Sequence, residues 1–138
     1  MSTAPQVEVI LDMDAHEEME SHIREGFPYQ TLNALQQFLD ITQAELASAL
    51  GVSRQTVIRN KKKRKRHLSA QMSDQLYRVA RITRRAVEVL GSQSVAIDWL
   101  KKPNAALGER SPLSLLDTDA GAEKVSDVLG RIEYGVYS

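Results

Sequence analysis

The sequence predicts an all-α protein, and three observations predict it. A helix–glycine–helix pattern, TQAELASALGVSRQTVIRNKK, occupies Thr42 to Lys62. Apolar residues recur at helical spacing elsewhere, as in Leu32, Leu35, Phe38 and Leu39, or Val125, Leu129 and Ile132. Serine and glycine punctuate these stripes in the order that caps demand: Ser53, Ser69 and Ser111 stand ahead of them, Gly51, Gly91 and Gly135 behind. The implied organisation is an acidic segment over residues 1–25, a helix-turn-helix unit over 26–68, a connecting helix over 69–91 and a small helical unit over 92–138.

Residues 1–12 show no convincing cap or period and read as a loose tail. From Asp14 to Glu25, the residues Ala15, Met19, His22 and Ile23 fit one helical stripe. Glu18 and His22 lie one turn apart, a spacing that suits a metal, but with no third ligand in view a solvated charged face is expected. Gly26-Phe27-Pro28 breaks the chain, and Pro28 suits the start of a helix running to Asp40. That helix is expected to pack behind the helix-turn-helix.

Within the central motif, Leu46, Ala47 and Leu50 share a face, and small Ala47 allows a second helix to approach. Gly51 can adopt the left-handed conformation that ends a helix, Val52 plugs inward, and Ser53 caps the next helix. Val57 continues the buried face, while Arg54, Gln55, Ile58 and Arg59 point away. That is the anatomy of a helix-turn-helix, whose second helix lies in the DNA major groove. The plainer alternative is an ordinary helical hairpin with a glycine turn.

Charge favours the DNA reading. The 138 residues sum to a formal charge of zero, yet the charges are segregated. Residues 1–25 carry seven acids against Arg24, whereas residues 54–85 carry twelve basic residues against Asp74 alone. A patch this basic beside a candidate recognition helix is the footprint of a polyanion site. Six cations in a row, Lys61 to Arg66, follow the recognition helix where flanking phosphates would lie. In this reading Ser53, Arg54, Gln55, Thr56 and Arg59 present donors to base edges. Gln43, Asn60, Lys61, Lys62, Lys63 and Arg64 complete the DNA-facing set, with Gln43 and the basic run on phosphates.

The length suffices to bury about two-thirds of the unfolded chain's surface. Hydrophobic content is 42% and cysteine is absent, which excludes disulfides, thiolate metal sites and a cysteine nucleophile. No apolar run approaches membrane-spanning length and the acidic start is unlike a signal peptide, so a cytoplasmic protein is expected. With no glycine-rich phosphate loop, no nucleophile beside a base and three histidines only, neither an enzyme nor a cofactor is expected.

Ser69 is expected to cap a long helix to Leu90, with Leu76, Val79, Ala80, Ile82, Thr83, Ala86, Val87 and Leu90 as its stripe and as a candidate dimer seam. Asp74 is expected to pair with Arg78 one turn on, leaving Arg81, Arg84 and Arg85 solvated. Ser92–Lys102 reads as a short helix with Val95, Ala96, Trp99 and Leu100 on one side and Lys101-Lys102 in its last turn, where they complement its dipole. Ala105–Gly108 reads as a turn, Ser111-Pro112 as a cap with proline at the first helical position, and Asp119–Glu133 as the last helix. Tyr134, Val136 and Tyr137 leave an apolar tip that either the chain's own core or a partner protein must cover.

From Gly26 onward the chain resembles the Xre/MbcA/ParS group of antitoxins from type II toxin–antitoxin systems. The resemblance is carried by Gly26-Phe27-Pro28, Leu46-Ala47, Gly51-Val52-Ser53, Thr56-Val57, Arg59, Leu68-Ser69, Ser73-Asp74 and Ala80-Arg81-Ile82. In the C-terminal part it is carried by Trp99-Leu100, Pro103-Asn104, Ala106-Leu107-Gly108, Ser111-Pro112-Leu113, Gly121, Val125, Leu129 and Tyr134-Gly135. It implies an Xre-like helix-turn-helix bundle followed by a toxin-binding domain. The partners implied are a RES-domain toxin, whose ADP-ribosyltransferase-like fold acts on NAD, and double-stranded operator DNA bound as a homodimer. Toxin-facing residues implied are Trp99, Asn104, Leu107, Pro112, Leu113 and the end Glu133, Tyr134, Gly135, Val136, Tyr137 and Ser138, with Trp99 expected to serve the domain core. Many relatives carry Arg at the positions of Gln55 and Asn60, and this lysine–arginine run is heavier than is usual. Both shift the expected affinity toward phosphates. The rival function is a stand-alone helix-turn-helix regulator with a helical dimerisation domain.

Overall fold

Local chemistry sets almost every helix boundary. A computed structural model describes residues 16–62 and 67–135. In order these form α1 (His16–Glu25), α2 (Gln30–Leu39), α3 (Gln43–Leu50), α4 (Arg54–Lys61), α5 (Ala70–Leu90) and α6 (Gln93–Lys101). Two 3₁₀ turns, Ala105–Leu107 and Pro112–Leu115, and then α7 (Asp119–Tyr134) complete them. Helix starts use hydroxyl caps: Ser53, Ser69, Ser92, Ser111 and Thr118 each accept the amide of the residue three positions on. Thr42 adds a full capping box, its Oγ1 accepting Glu45 N at 3.0 Å while its own amide donates to Glu45 Oε1 at 2.8 Å. The T-x-x-E signature for that box stands in the sequence, but sequence reasoning missed it. Helix ends turn left-handed at Gly51, Gly91, Gly108 and Gly135, and also at Asp40.

One apolar core joins all of these elements. Leu32, Leu35 and Leu39 from α2 meet Leu46 and Leu50 from α3 and Val57 from α4. Leu76, Val79, Ile82 and Ala86 of α5 continue it to Leu100 of α6, Leu116, and Val125 and Leu129 of α7. A fully buried leucine is worth about 1.5–3 kcal/mol relative to leaving it exposed, so this shared core binds the N- and C-terminal parts together. The helix α5 packs against α1, α3, α6 and α7. Its apolar stripe, a candidate dimer seam in the sequence, is thereby taken up largely inside the chain, with Val87 and Leu90 half-buried. Gly121 makes the approach of α7 possible: a Cβ there would stand 1.9 Å from the Leu115 carbonyl oxygen.

Local expectations at four residues are corrected. Arg78 does not pair with Asp74. It is buried, and its Nε donates to the Leu116 carbonyl at 2.8 Å, Nη2 to the Asp117 carbonyl at 2.9 Å and Nη1 to Asp119 Oδ1 at 3.1 Å. Carbonyls at the end of a 3₁₀ turn lack partners, and a planar guanidinium with five donors satisfies several at once. Val95 is 51% exposed and His22 is exposed, so neither joins its stripe's buried face. Lys101 reaches across to the C-terminus of α2, donating to the carbonyls of Asp40 at 2.9 Å and Leu39 at 3.3 Å.

Candidate nucleic-acid and partner interfaces

The recognition helix α4 is positioned by its cap and by one apolar anchor. Ser53 Oγ accepts Thr56 N at 3.0 Å, and Val57 is fully buried against α2 and α3. This leaves Ser53, Arg54, Gln55 and Arg59 exposed together on the outer surface, with Ile58 half-buried. Gln43 is half-buried in the first turn of α3. Arg54 and Gln55 in the first turn hold their donors clear of the protein, as a helix entering a major groove by its N-terminus requires.

Other members of the predicted DNA-facing set are engaged within the protein. Thr56 Oγ1 lies 2.9 Å from Ser53 Oγ and accepts Arg59 Nη2 at 3.4 Å. Asn60 Nδ2 donates to the Thr56 carbonyl at 2.8 Å, one turn back on its own helix. Lys61 Nζ donates to the Gln36 side-chain oxygen, and burial holds this ammonium below the usual lysine range. Lys62 is exposed, and Lys63 and Arg64 lie outside the described residues.

The C-terminal candidates separate in the same way. Leu107, Pro112 and Leu113 are buried, and Trp99 is half-buried against the core. Asn104 builds its turn, Oδ1 accepting Ala106 N at 2.9 Å. Glu133 Oε1 accepts Arg85 Nη2 at 2.7 Å, and that bond, ahead of the charge itself, raises the Arg85 guanidinium above its ordinary range. Tyr134 is 77% exposed beside the left-handed Gly135. Val136, Tyr137 and Ser138 lie outside the described residues. Sequence reasoning missed the basic groove lined by Arg110, Lys124 and Arg131, although Lys124 and Arg131 stand two turns apart on one stripe of α7.

Among the described residues no group of three or more histidine, aspartate and glutamate side chains is placed to hold a metal. No helix among them is long and apolar enough to cross a membrane.

Comparison with known proteins matches both parts of the chain. Residues 18–81 match the antitoxin Xre-like helix-turn-helix domain. Residues 85–135 match the antitoxin Xre/MbcA/ParS C-terminal toxin-binding domain. The chain is 33% identical over 117 residues to the antitoxin Xre of Yersinia enterocolitica, covering 84% of this chain and 78% of that one. It is 30% identical over 120 residues to the antitoxin Xre of Photorhabdus laumondii, with the same coverage of 84% and 78%. Its fold is similar to a chain from the crystal structure of the M. tuberculosis MbcT–MbcA toxin–antitoxin complex. That likeness has a TM-score of 0.53 at 21% identity and covers 80% of this chain and 96% of the other. An exposed recognition helix, a core shared with a second helical part and these matches agree: the chain belongs to the Xre/MbcA/ParS antitoxin family, with an Xre-like helix-turn-helix domain followed by a C-terminal toxin-binding domain.

Proposed function

We propose that this antitoxin binds a RES-domain toxin and blocks its NAD-using cleft, and that it represses its own promoter as a homodimer on operator DNA. Both actions would take place in the bacterial cytoplasm and both work by occupying a surface, with no chemistry on this chain. The observation that carries the reading is the pairing within one core of two exposed ends. Arg54, Gln55 and Arg59 are exposed on α4, and α7 finishes on exposed Tyr134 and Gly135. An exposed aromatic side chain in the last turn of a helix offers a large apolar contact area, which suits a plug for a cleft.

Co-expression with the adjacent reading frame tests the partner: a RES-type product is expected to co-purify with the antitoxin. Binding to the promoter duplex at several salt concentrations tests the operator. If about six cations meet phosphates, log affinity falls against log salt with a slope near −5. A flat salt response contradicts the phosphate contacts, and failure to co-purify contradicts the toxin partner.

A further inference from the structure

Residues 85–135 hold six cationic side chains, and three of them are engaged elsewhere on the chain. Arg85 pairs with Glu133 at 2.7 Å, Lys102 pairs with Asp98 at 2.7 Å, and Lys101 donates to the carbonyls of Leu39 and Asp40. The remaining three, Arg110, Lys124 and Arg131, are exposed and have no ion-pair partner among the described residues. All three line one groove of about 310 Å³ between the first 3₁₀ turn and α7, where Asp127 is the one acidic residue among the described lining.

The groove is built on stiff supports. Lys124 and Arg131 project from one stripe of α7. Opposite them, Arg110 Nε donates to the Leu107 carbonyl at 3.2 Å. The turn beneath is closed by Asn104, whose carbonyl accepts Leu107 N and Glu109 N, each at 2.9 Å, and whose amide donates to the Arg110 carbonyl at 3.1 Å. Glu109 holds φ 65, a left-handed conformation that a non-glycine residue seldom adopts. Three cations gathered around a single carboxylate, Asp127, leave the groove with an excess of positive charge that an acidic partner would offset.

We propose that this groove receives an acidic segment of the toxin, with its carboxylates seated between Arg110 and Arg131; this rests on the reading that the chain binds a toxin. Arginine's planar fork matches a carboxylate by two parallel hydrogen bonds, which gives orientation as well as attraction. Arg131 lies one helical turn before Gly135, so a partner seated here continues onto the exposed end of α7. A protein is favoured over a duplex because the groove belongs to the part matching the toxin-binding domain, whereas α4 packs on α2 and α3.

The test uses the full chain and the product of the adjacent reading frame, titrated by calorimetry. Lys124→Gln combined with Arg131→Gln is expected to weaken the complex at least tenfold, and Asp127→Asn to tighten it severalfold. Neither is expected to change melting temperature or promoter affinity, since these side chains are exposed. A change under twofold in the double variant, while the parent chain binds, overturns the groove. Loss of promoter affinity in the double variant overturns it in favour of nucleic acid. If the parent chain itself fails to bind, the toxin reading falls and the groove falls with it.

Discussion

A Cβ added at Gly51 would lie 3.0 Å from the carbonyl oxygen of Asp117, so the turn of the helix-turn-helix rests directly on the loop that opens α7. That same carbonyl accepts Arg78 Nη2 at 2.9 Å. The turn of the helix-turn-helix, the long helix α5 and the start of α7 therefore meet at one peptide group.

Gly51→Ala should be costly on two grounds. Its φ of 78 lies in the left-handed region, where a side chain costs about 1–2 kcal/mol, and the added methyl crowds the Asp117 backbone. Chemical denaturation should show a loss of at least that size. A loss below about 0.5 kcal/mol would mean that the turn can move away from α7 freely.

Arg78→Ala should destabilise the fold by about 2–4 kcal/mol, because it strands the buried carbonyl of Leu116 and removes the donor from the part-buried carbonyl of Asp117. Asp74→Ala should stay within about 0.5 kcal/mol, since Asp74 is exposed. Paired denaturation curves decide this; equal effects of the two substitutions would restore the local Asp74–Arg78 pair.

That pair marks where sequence reasoning stops. Caps and stops are written within four residues, so Ser53, Ser69, Ser111, Gly51, Gly91 and Gly135 are legible in the sequence. Partners 38 to 41 residues away are not legible. The i,i+4 rule supplied Asp74 for Arg78 because a single chain read in order offers only neighbours. The same limit affects the recognition helix. A polar residue type marks Thr56, Asn60 and Lys61 as DNA-facing, but only coordinates show their bonds to Ser53, the Thr56 carbonyl and Gln36. Trp99, Leu107 and Leu113 pack in or against the core, which a sequence pattern alone does not separate from contact with a partner.

On the recognition helix, Arg54→Ala, Gln55→Ala and Arg59→Ala should each weaken operator binding by about 1–3 kcal/mol when they contact base edges, with stability unchanged. Asn60→Ala removes a bond to its own helix and should cost stability before affinity. Gel-shift titration beside thermal denaturation separates the two; an Asn60 variant that loses operator affinity at full stability would put that side chain on DNA.

Lys61 gives the fold a pH signature. Burial depresses its folded pKa below the ordinary 10.5, so the unfolded chain holds this proton more tightly. The penalty is fully present below the folded pKa and disappears as pH rises through it to 10.5, so this group's contribution to stability improves toward alkaline pH. NMR titration of the Lys61 Cε resonance should give a midpoint below the ordinary 10.5; a midpoint at that value would show that the contact with Gln36 does not bury the ammonium.

At the C-terminal end, Arg85→Gln should loosen the last turn of α7 by removing the 2.7 Å bond to Glu133. Hydrogen exchange at Ile132 to Gly135 should speed up while that of α4 is unchanged. Unchanged exchange at the end of α7 would show that the pair is incidental.

Inhibition by occupancy is tested most directly by the activity of the purified toxin, measured as NAD consumption, while this chain is titrated in with and without Gly135–Ser138. The full chain is expected to abolish activity at saturation. The shortened one is expected to leave the toxin active while still binding the promoter duplex. Full inhibition by the shortened chain would show that the end of α7 is not the plug, and no inhibition by either would contradict the antitoxin mechanism proposed for this molecule.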